Sequence, residues 1–172
     1  MTTAIVESVT RPPRHPARRL ALSLALALVA AWIVYVLPAT DAVLAPVNEP
    51  TARLTAAMLY AVGLPVLSEG TVISHAGGFA SEIGSGCTAL IPALLLAAAV
   101  LGWPASRRAR FIGVVGGTAW MVVLNQVRLV SLVWIGVHDP GFFGIAHDGL
   151  WPVLLLLAGV VYWAGWAKAA RR

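Results

Sequence analysis

Long apolar runs alternate with short polar clusters along the chain. A helix that crosses the hydrocarbon core of a bilayer needs about 20 mostly apolar residues. Four runs approach or exceed that length, although the second is short: residues 20–37, 88–103, 111–137 and 149–167. The pattern therefore predicts an all-α integral membrane protein with about four transmembrane helices.

The segment between the first two runs follows other patterns. Residues 38–50 contain three prolines and are predicted to form a loop. Residues 51–64 are predicted to form one interfacial helix, because they carry an apolar face but are too short to span. Residues 71–74 and 79–83 flank a glycine pair and predict a short extracytoplasmic hairpin or loop. It would lie outside the hydrocarbon, since lipid does not tolerate exposed sheet edges.

The composition agrees with a membrane protein. Hydrophobic residues make up 59% of the 172 positions and charged residues 11%, against roughly 25% charged residues in soluble domains. One membrane domain at 20–167 takes up most of the chain, between a basic arm at 1–19 and a basic tail at 168–172. The net charge of +5 comes from residues that flank the apolar runs. The expected partner is therefore the lipid bilayer and not nucleic acid.

The positions of the basic residues predict an orientation. Most of the 12 lie in the arm, in the turn at 104–110 or in the tail, and basic loops stay in the cytoplasm. Both termini are then cytoplasmic, and segments 38–87 and 138–148, which hold most of the 7 acidic residues, face outward. The first run is longer than a signal-peptide core of about 7–15 residues. We therefore expect an uncleaved first helix, with cleavage after it as the alternative.

Three residues with catalytic chemistry are predicted to lie at the same outward depth. Cys87, the only cysteine, comes at the outward start of the second run, and His147 just precedes the fourth. Arg128 lies about 17 residues into the third run, a rise of roughly 26 Å that reaches the outer edge of a ~30 Å core. Asn125 precedes Arg128 by one helical turn and shares its face.

These side chains together predict acyl transfer through a thioester. A thiolate at the start of a helix is a nucleophile, and a neutral histidine acts first as base and then as acid. A guanidinium stabilises the oxyanion that develops on a substrate carbonyl. Asn125 would hold Arg128 or contact the substrate, and Glu82 is either a second acid or a solvated charge of the hairpin.

Other interpretations of the same residues stay open. A lone cysteine is most often a small buried apolar residue, an arginine near a helix end can extend to the interface, and His138 competes with His147 as the base. Two other function classes are alternatives to an enzyme. In a non-enzymatic subunit of a membrane complex, Arg128 and Asn125 would form a packing or partner contact. In a small transporter, Arg128 would bind an anion.

Three motifs resemble those of the exosortase/archaeosortase family of membrane-embedded cysteine transpeptidases. They are FASEIGSGCTAL at residues 79–90, NQVR at 125–128 and HDG at 147–149. The resemblance covers about residues 50–167. The chain is short for the family and resembles its compact exosortase H type. Ala89 departs from the glycine that is common after the Cys-Ser/Thr pair of the family.

The resemblance implies roles for these residues. Cys87 would be the nucleophile, with Arg128 and His147 as its catalytic partners. His147 is preferred to His138 because the histidine of the family opens the last helix of the core. Three further side chains are expected to bind substrate or support the site: Asn125, Glu82 and Asp148.

The resemblance also implies a substrate class and a location. Family members cleave C-terminal sorting signals, which consist of a short motif, a transmembrane helix and a basic tail. The expected activity is therefore cleavage of exported proteins at the outer face of a prokaryotic inner membrane and transfer of the new C-terminus to an acceptor. The acceptor is left unidentified, and no metal or cofactor is expected.

Overall fold

The computed structural model of the chain describes residues 16–36 and 40–171. Most of this part is helical. The helices are α1 (Pro16–Val36), α2 (Thr40–Ala61), α3 (Leu90–Gly102), α4 (Arg107–His138), α5 (Pro140–Gly144) and α6 (Trp151–Ala169). Most of the predicted basic arm and Arg172 of the tail lie outside the described residues, while residues 16–19 of the arm belong to α1.

A small antiparallel sheet separates α2 from α3. Its strands are β1 (Leu67–Glu69), β2 (Val72–Ser74) and β3 (Ala80–Glu82), paired in that order. The register sets Ser68 opposite Ile73 and Ile73 opposite Ser81. The predicted hairpin corresponds to β2 and β3, and β1 was not predicted. The fold is thus mostly helical with a three-stranded sheet, and all-α was too narrow a description.

Two helical segments of the described chain are long and apolar enough to cross a membrane. They are Arg107–His138, with 32 residues, and Pro140–Ala169, with 30. Helix α3 is apolar but has only 13 residues, which rise about 20 Å at 1.5 Å each. The structure therefore supports a membrane protein, and it does not confirm the predicted count of four spans.

The prediction of a loop over residues 38–50 is wrong for the described part of that segment. Helix α2 begins at Thr40 and continues through Pro46 and Pro50. A proline inside a helix costs about 3 kcal/mol, so packing must supply the compensation. Ala52 and Leu59 are fully buried in a cluster with residues of the sheet and of α4. The predicted interfacial helix is the second half of this longer element.

Residues 138–147 contain one proline and two glycines, a composition that predicts a loop, but the structure has a helix here. The Asp139 side chain accepts a hydrogen bond from the backbone N–H of Phe142 at 3.2 Å, and Pro140 occupies the first turn of α5. Both features start helices, so a new helix begins directly after α4 ends. Helix α5 continues through a π-helical turn at Ile145–Leu150 into α6. The three glycines of this stretch do not interrupt it.

The described helices pack in two groups around α4. On one side, α3 packs against α1, α4 and α6, and α4 packs against α6. On the other side, α2 contacts α4, the sheet and the turn before α3. Each side has its own buried apolar cluster. The bundle cluster is Leu96, Val100 and Met121, and the cluster next to the sheet is Ala52, Leu59, Leu64, Ile73, Ile83, Leu129 and Val133.

Candidate active site

Cys87 lies in a short 3₁₀ turn, Ser85–Cys87, between the sheet and α3. Its backbone N–H donates to the Gly84 carbonyl at 2.9 Å. Thr88 is extended, and its hydroxyl donates back to the Ser85 carbonyl at 2.9 Å. Helix α3 begins only at Leu90, so the prediction that Cys87 opens this helix is wrong. The thiol is half-buried and packs against the cluster next to the sheet.

His147 lies beside this thiol. Its Nε2 atom is 3.9 Å from the Sγ atom of Cys87. On the other side of the ring, Nδ1 is 2.6 Å from Oδ1 of Asp148. A carboxylate at Nδ1 favours a proton on that nitrogen, which leaves the Nε2 lone pair free to face the thiol. The order Cys–His–Asp is the arrangement of a nucleophile, a base and a group that orients the base.

Two aromatic rings pack next to the His147 imidazole. Phe143 stacks on the imidazole of His147 with ring centroids 5.7 Å apart and planes inclined by 20°. Phe79 meets Phe143 edge to face, with centroids 5.6 Å apart. Gly136 of α4 leaves room for the Phe79 ring, which a Cβ at this position would overlap. Phe143 was not singled out from the sequence, although its position four residues before His147 is a helical contact spacing.

Asn125 and Arg128 approach the same turn from α4. They are 3% and 6% exposed. The Nδ2 atom of Asn125 donates to the Cys87 carbonyl at 2.9 Å. The Nη1 atom of Arg128 lies 3.4 Å from Oδ1 of Asn125 and 3.5 Å from the Gly86 carbonyl, which are long contacts. The Asn125 bond fixes the backbone that carries the thiol. In the described chain, the hydrogen bonds of Arg128 go to the Gly86 carbonyl and the Asn125 side chain, and not to Sγ.

Glu82 and His138 occupy more exposed positions. The Glu82 carboxylate on β3 accepts a hydrogen bond from the Thr71 hydroxyl at 3.3 Å. It also lines a small cavity of about 20 Å³ together with Cys87 and His147. His138 stacks on Trp134, with ring centroids 4.6 Å apart, and its Nδ1 atom is 2.9 Å from the Trp134 carbonyl. The structure therefore brings His147 to the thiol and leaves His138 against its own helix.

A polar contact next to the site joins α2 to α4. Nε2 of Gln126 donates to the hydroxyl of Thr55 at 2.7 Å, and this hydroxyl donates to the Thr51 carbonyl at 2.8 Å. Thr55 is fully buried. Thr55 lies in the helix predicted over residues 51–64, but its pairing with Gln126 was not predictable from the sequence. The contact sets the position of α4 against the half of the molecule that contains the sheet.

The site has the composition of an acid–base centre. Over residues 16–36 and 40–171, no group of three or more His, Cys, Asp or Glu side chains is arranged to hold a metal ion. The expectation that no metal takes part stays a prediction. What the geometry offers is a thiol, an imidazole, a carboxylate and a buried guanidinium around one backbone turn.

Comparison with known proteins identifies a family. The family model described as transmembrane exosortase (Exosortase_EpsH) matches residues 13–164. Comparison with curated proteins and with solved structures finds no match. The family match includes every segment that builds the site, from the sheet to the start of α6. Since it covers most of the sequence, the chain belongs to the transmembrane exosortase family.

Proposed function

We propose that the chain is a membrane-embedded cysteine peptidase and transpeptidase that cleaves C-terminal sorting signals. The observation that carries this proposal is the 3.9 Å approach of His147 Nε2 to the Cys87 thiol, with Asp148 on the other ring nitrogen. Membership of the transmembrane exosortase family supports a sorting transpeptidase in the membrane. The chemistry of the three side chains supports the cysteine type.

In the first step, the Cys87 sulfur attacks the scissile carbonyl carbon while Nε2 of His147 takes the thiol proton. A C–S bond forms and the carbonyl oxygen becomes an oxyanion. When the tetrahedral intermediate collapses, the C–N bond breaks, and the imidazolium gives its proton to the leaving amine. Asp148 stabilises this imidazolium through its contact with Nδ1. The products are a thioester on Cys87 and the released signal helix with its basic tail.

In the second step, an acceptor with a nucleophilic O–H or N–H group attacks the thioester carbonyl. His147 takes the proton of the acceptor, a new C–O or C–N bond forms, and the C–S bond breaks. The thiol recovers its proton from the imidazolium, so the enzyme returns to its starting state. Water as the acceptor gives hydrolysis, and an amine or a hydroxyl of another molecule gives transpeptidation or esterification.

Asn125 positions the turn that carries Cys87, and Arg128 supplies a positive charge beside this turn. The Asn125 amide fixes the Cys87 carbonyl, and the buried Arg128 charge lies beside Gly86. A positive charge in a site from which water is excluded stabilises an oxyanion strongly. Glu82, which lines the cavity at the thiol, is proposed to contact the substrate.

We further propose that this site faces outward from a prokaryotic inner membrane, with both termini in the cytoplasm. The basic turn between α3 and α4 supports this orientation through Arg107, Arg108 and Arg110. Arg128 lies 21 positions after the start of α4 at Arg107, and the corresponding rise of about 32 Å supports a position near the opposite surface of a ~30 Å core. The substrates would be exported proteins that end in a transmembrane helix and a basic tail.

Two pairs of variants test the proposed activity in cells of the host. The chromosomal copy is replaced by the Cys87→Ala, Cys87→Ser, His147→Ala or His138→Ala variant, and the C-termini of membrane proteins are mapped by mass spectrometry. Loss of a general base lowers the rate by about 10²–10⁴-fold, so proteins with a C-terminal helix and basic tail should accumulate uncut with His147→Ala. His138→Ala is the matched control and should leave processing intact. Normal processing in Cys87→Ala cells would overturn the proposal and favour a non-enzymatic role.

The single cysteine allows a second test on the purified chain. Iodoacetamide can alkylate Cys87 alone, because the sequence contains 1 cysteine, and alkylation requires the thiolate. The His147→Ala variant should be alkylated several-fold more slowly than the His138→Ala variant near neutral pH. Equal rates would show that the imidazole at 3.9 Å does not assist ionisation of the thiol.

A further inference from the structure

A large cavity opens between α1, α3, α4 and α6. It lies on the face of α4 that is opposite the sheet. Its volume is about 740 Å³, within the range of small-molecule sites of ~300–1,000 Å³. The walls are almost entirely apolar and include Leu24, Leu28, Leu95, Leu156, Val160 and Trp163. Cys87 and His147 line the separate small cavity. The large cavity therefore does not contain the thiol or the imidazole, and Arg128 is the residue that it shares with the candidate site.

One end of this cavity is polar. Arg128, Gly86 and Thr88 lie there. Arg128 is only 6% exposed, and its Nε atom has no hydrogen-bond partner among the described residues. No ion pair in the described chain joins Arg128 to a carboxylate. A buried, unpaired charge is strongly unfavourable, and a guanidinium has five N–H donors to satisfy. An anionic group bound at the polar end would therefore neutralise the Arg128 charge and accept hydrogen bonds from its free N–H groups.

The dimensions of the cavity limit what can fill it. A spanning helix about 10 Å wide and ~30 Å long occupies roughly 2,400 Å³, several times the 740 Å³ available. Along α6 the lining extends from Pro152 to Trp163, a rise of about 16 Å. That length matches one leaflet of a ~30 Å hydrocarbon core. An acyl chain fits within this space, which is too small to enclose a whole transmembrane helix.

The rim of the cavity lies on the outer surface of the bundle. Leu28, Leu156 and Val160 line it and are all more than half exposed. In a bilayer these side chains contact acyl chains, so a lipid can enter sideways without crossing a polar barrier.

We infer that this cavity binds one anionic lipid, with an acyl chain along the leucines and the phosphate of its headgroup against Arg128. The two sides of the guanidinium then have separate partners. Nη1 contacts the turn that carries Cys87, and the Arg128 side chain also lines the polar end of the cavity, where a phosphate would face its positive charge. The lipid site does not depend on the proposed peptidase function, because it rests on Arg128 and the cavity walls alone.

Lipid retention by the purified full chain tests this site. The protein is prepared in an uncharged detergent with equal amounts of phosphatidylglycerol and phosphatidylcholine, and bound lipid is counted by native mass spectrometry. One phosphatidylglycerol should be retained in preference to phosphatidylcholine. Hydrogen bonds to a charged group contribute about 1.5–3 kcal/mol, so Arg128→Gln should reduce that preference roughly tenfold or more. Excess inorganic phosphate should not displace the lipid, because the acyl chain contributes to binding.

A pair of glycine variants on α6 controls for folding. Gly159 lines the cavity, and a leucine there would fill it. Gly165 has no atom within 4 Å of an added Cβ, so Gly165→Leu is the matched control. Gly159→Leu should lose the bound lipid, and Gly165→Leu should keep it. Equal retention of both lipids by the wild type, an unchanged preference in a folded Arg128→Gln variant, or lipid retained by Gly159→Leu would each overturn the inference. Displacement by inorganic phosphate would identify a simple anion site instead.

Discussion

A single methyl group on α4 should disturb the candidate site from a distance. Gly136 is buried, and the Phe79 ring packs against its α-carbon. A Cβ at this position would lie 2.8 Å from Cδ2 of Phe79 and closer still to other ring atoms. Gly136→Ala therefore forces the ring to move. Phe79 supports Phe143, which stacks on His147, so the displacement should reach the imidazole at Cys87.

The size of the effect follows from two opposing contributions. Overpacking a well-filled site costs about 1–3 kcal/mol, and replacing glycine by alanine inside a helix gains about 1 kcal/mol. Gly165→Ala on α6 provides the gain alone, since nothing lies within 4 Å of its added Cβ. The two variants should therefore differ by the overpacking cost, or roughly 2–12 °C in melting temperature for a chain of this size.

Thermal unfolding of the full chain in detergent, followed by circular dichroism of the helices, measures that difference. Alkylation of Cys87 by iodoacetamide gives a second readout at the site itself. Gly136→Ala should melt below Gly165→Ala and should be alkylated more slowly than the wild type. Gly165→Ala should be alkylated at the wild-type rate, because α6 does not contact the thiol through this residue.

A double-mutant cycle separates the clash from other effects of the substitution. In a Phe79→Ala background the ring is gone, so Gly136→Ala should no longer destabilise the protein. The coupling between the two positions should equal the overpacking cost of about 1–3 kcal/mol. Additive effects, or a Gly136→Ala variant as stable as Gly165→Ala, would refute the contact between the ring and the glycine.

Three other substitutions probe single hydrogen bonds. Asn125→Leu removes the donor to the buried Cys87 carbonyl and should destabilise the chain by about 1–3 kcal/mol, measured by thermal unfolding. Asp148→Asn replaces the carboxylate at His147 and should slow sorting-signal processing in cells without lowering the melting temperature, because Asp148 is exposed. Tyr162→Phe removes one hydrogen bond between α6 and α4 and should cost about 1 kcal/mol, with alkylation of Cys87 unchanged.

The apolar runs made the main helices predictable. The third run corresponds to α4 and the fourth to α6, because continuous apolar sequence of this length has few other stable arrangements in a membrane. The positions of Cys87, Arg128 and His147 relative to the ends of these runs also predicted a shared depth for the three side chains. Hydrogen-bonding and contact geometry was not predictable, since depth says nothing about which faces of the helices meet.

The errors concern segments rich in proline and glycine. Pro46 and Pro50 break a helix when only neighbouring residues are considered, yet α2 passes through both. The compensation comes from distant residues: Ala52 and Leu59 are buried in the cluster next to the sheet, and the Thr55 hydroxyl meets α4. Tertiary packing of this kind outweighs local preference, and a single sequence gives no measure of it.

The contact between His147 and Asp148 shows where regular periodicity fails. Adjacent side chains of an α-helix do not face each other, so helical geometry alone argues against a 2.6 Å contact between neighbours. These two residues lie in the π-helical turn at Ile145–Leu150, and such turns occur frequently at functional sites. Cys87 likewise lies in a 3₁₀ turn and not in α3. Both reacting groups of the proposed mechanism thus depend on departures from the α-helix. Restoring a regular helix at either place would separate the thiol, the imidazole and the carboxylate while leaving the helices that carry them in place.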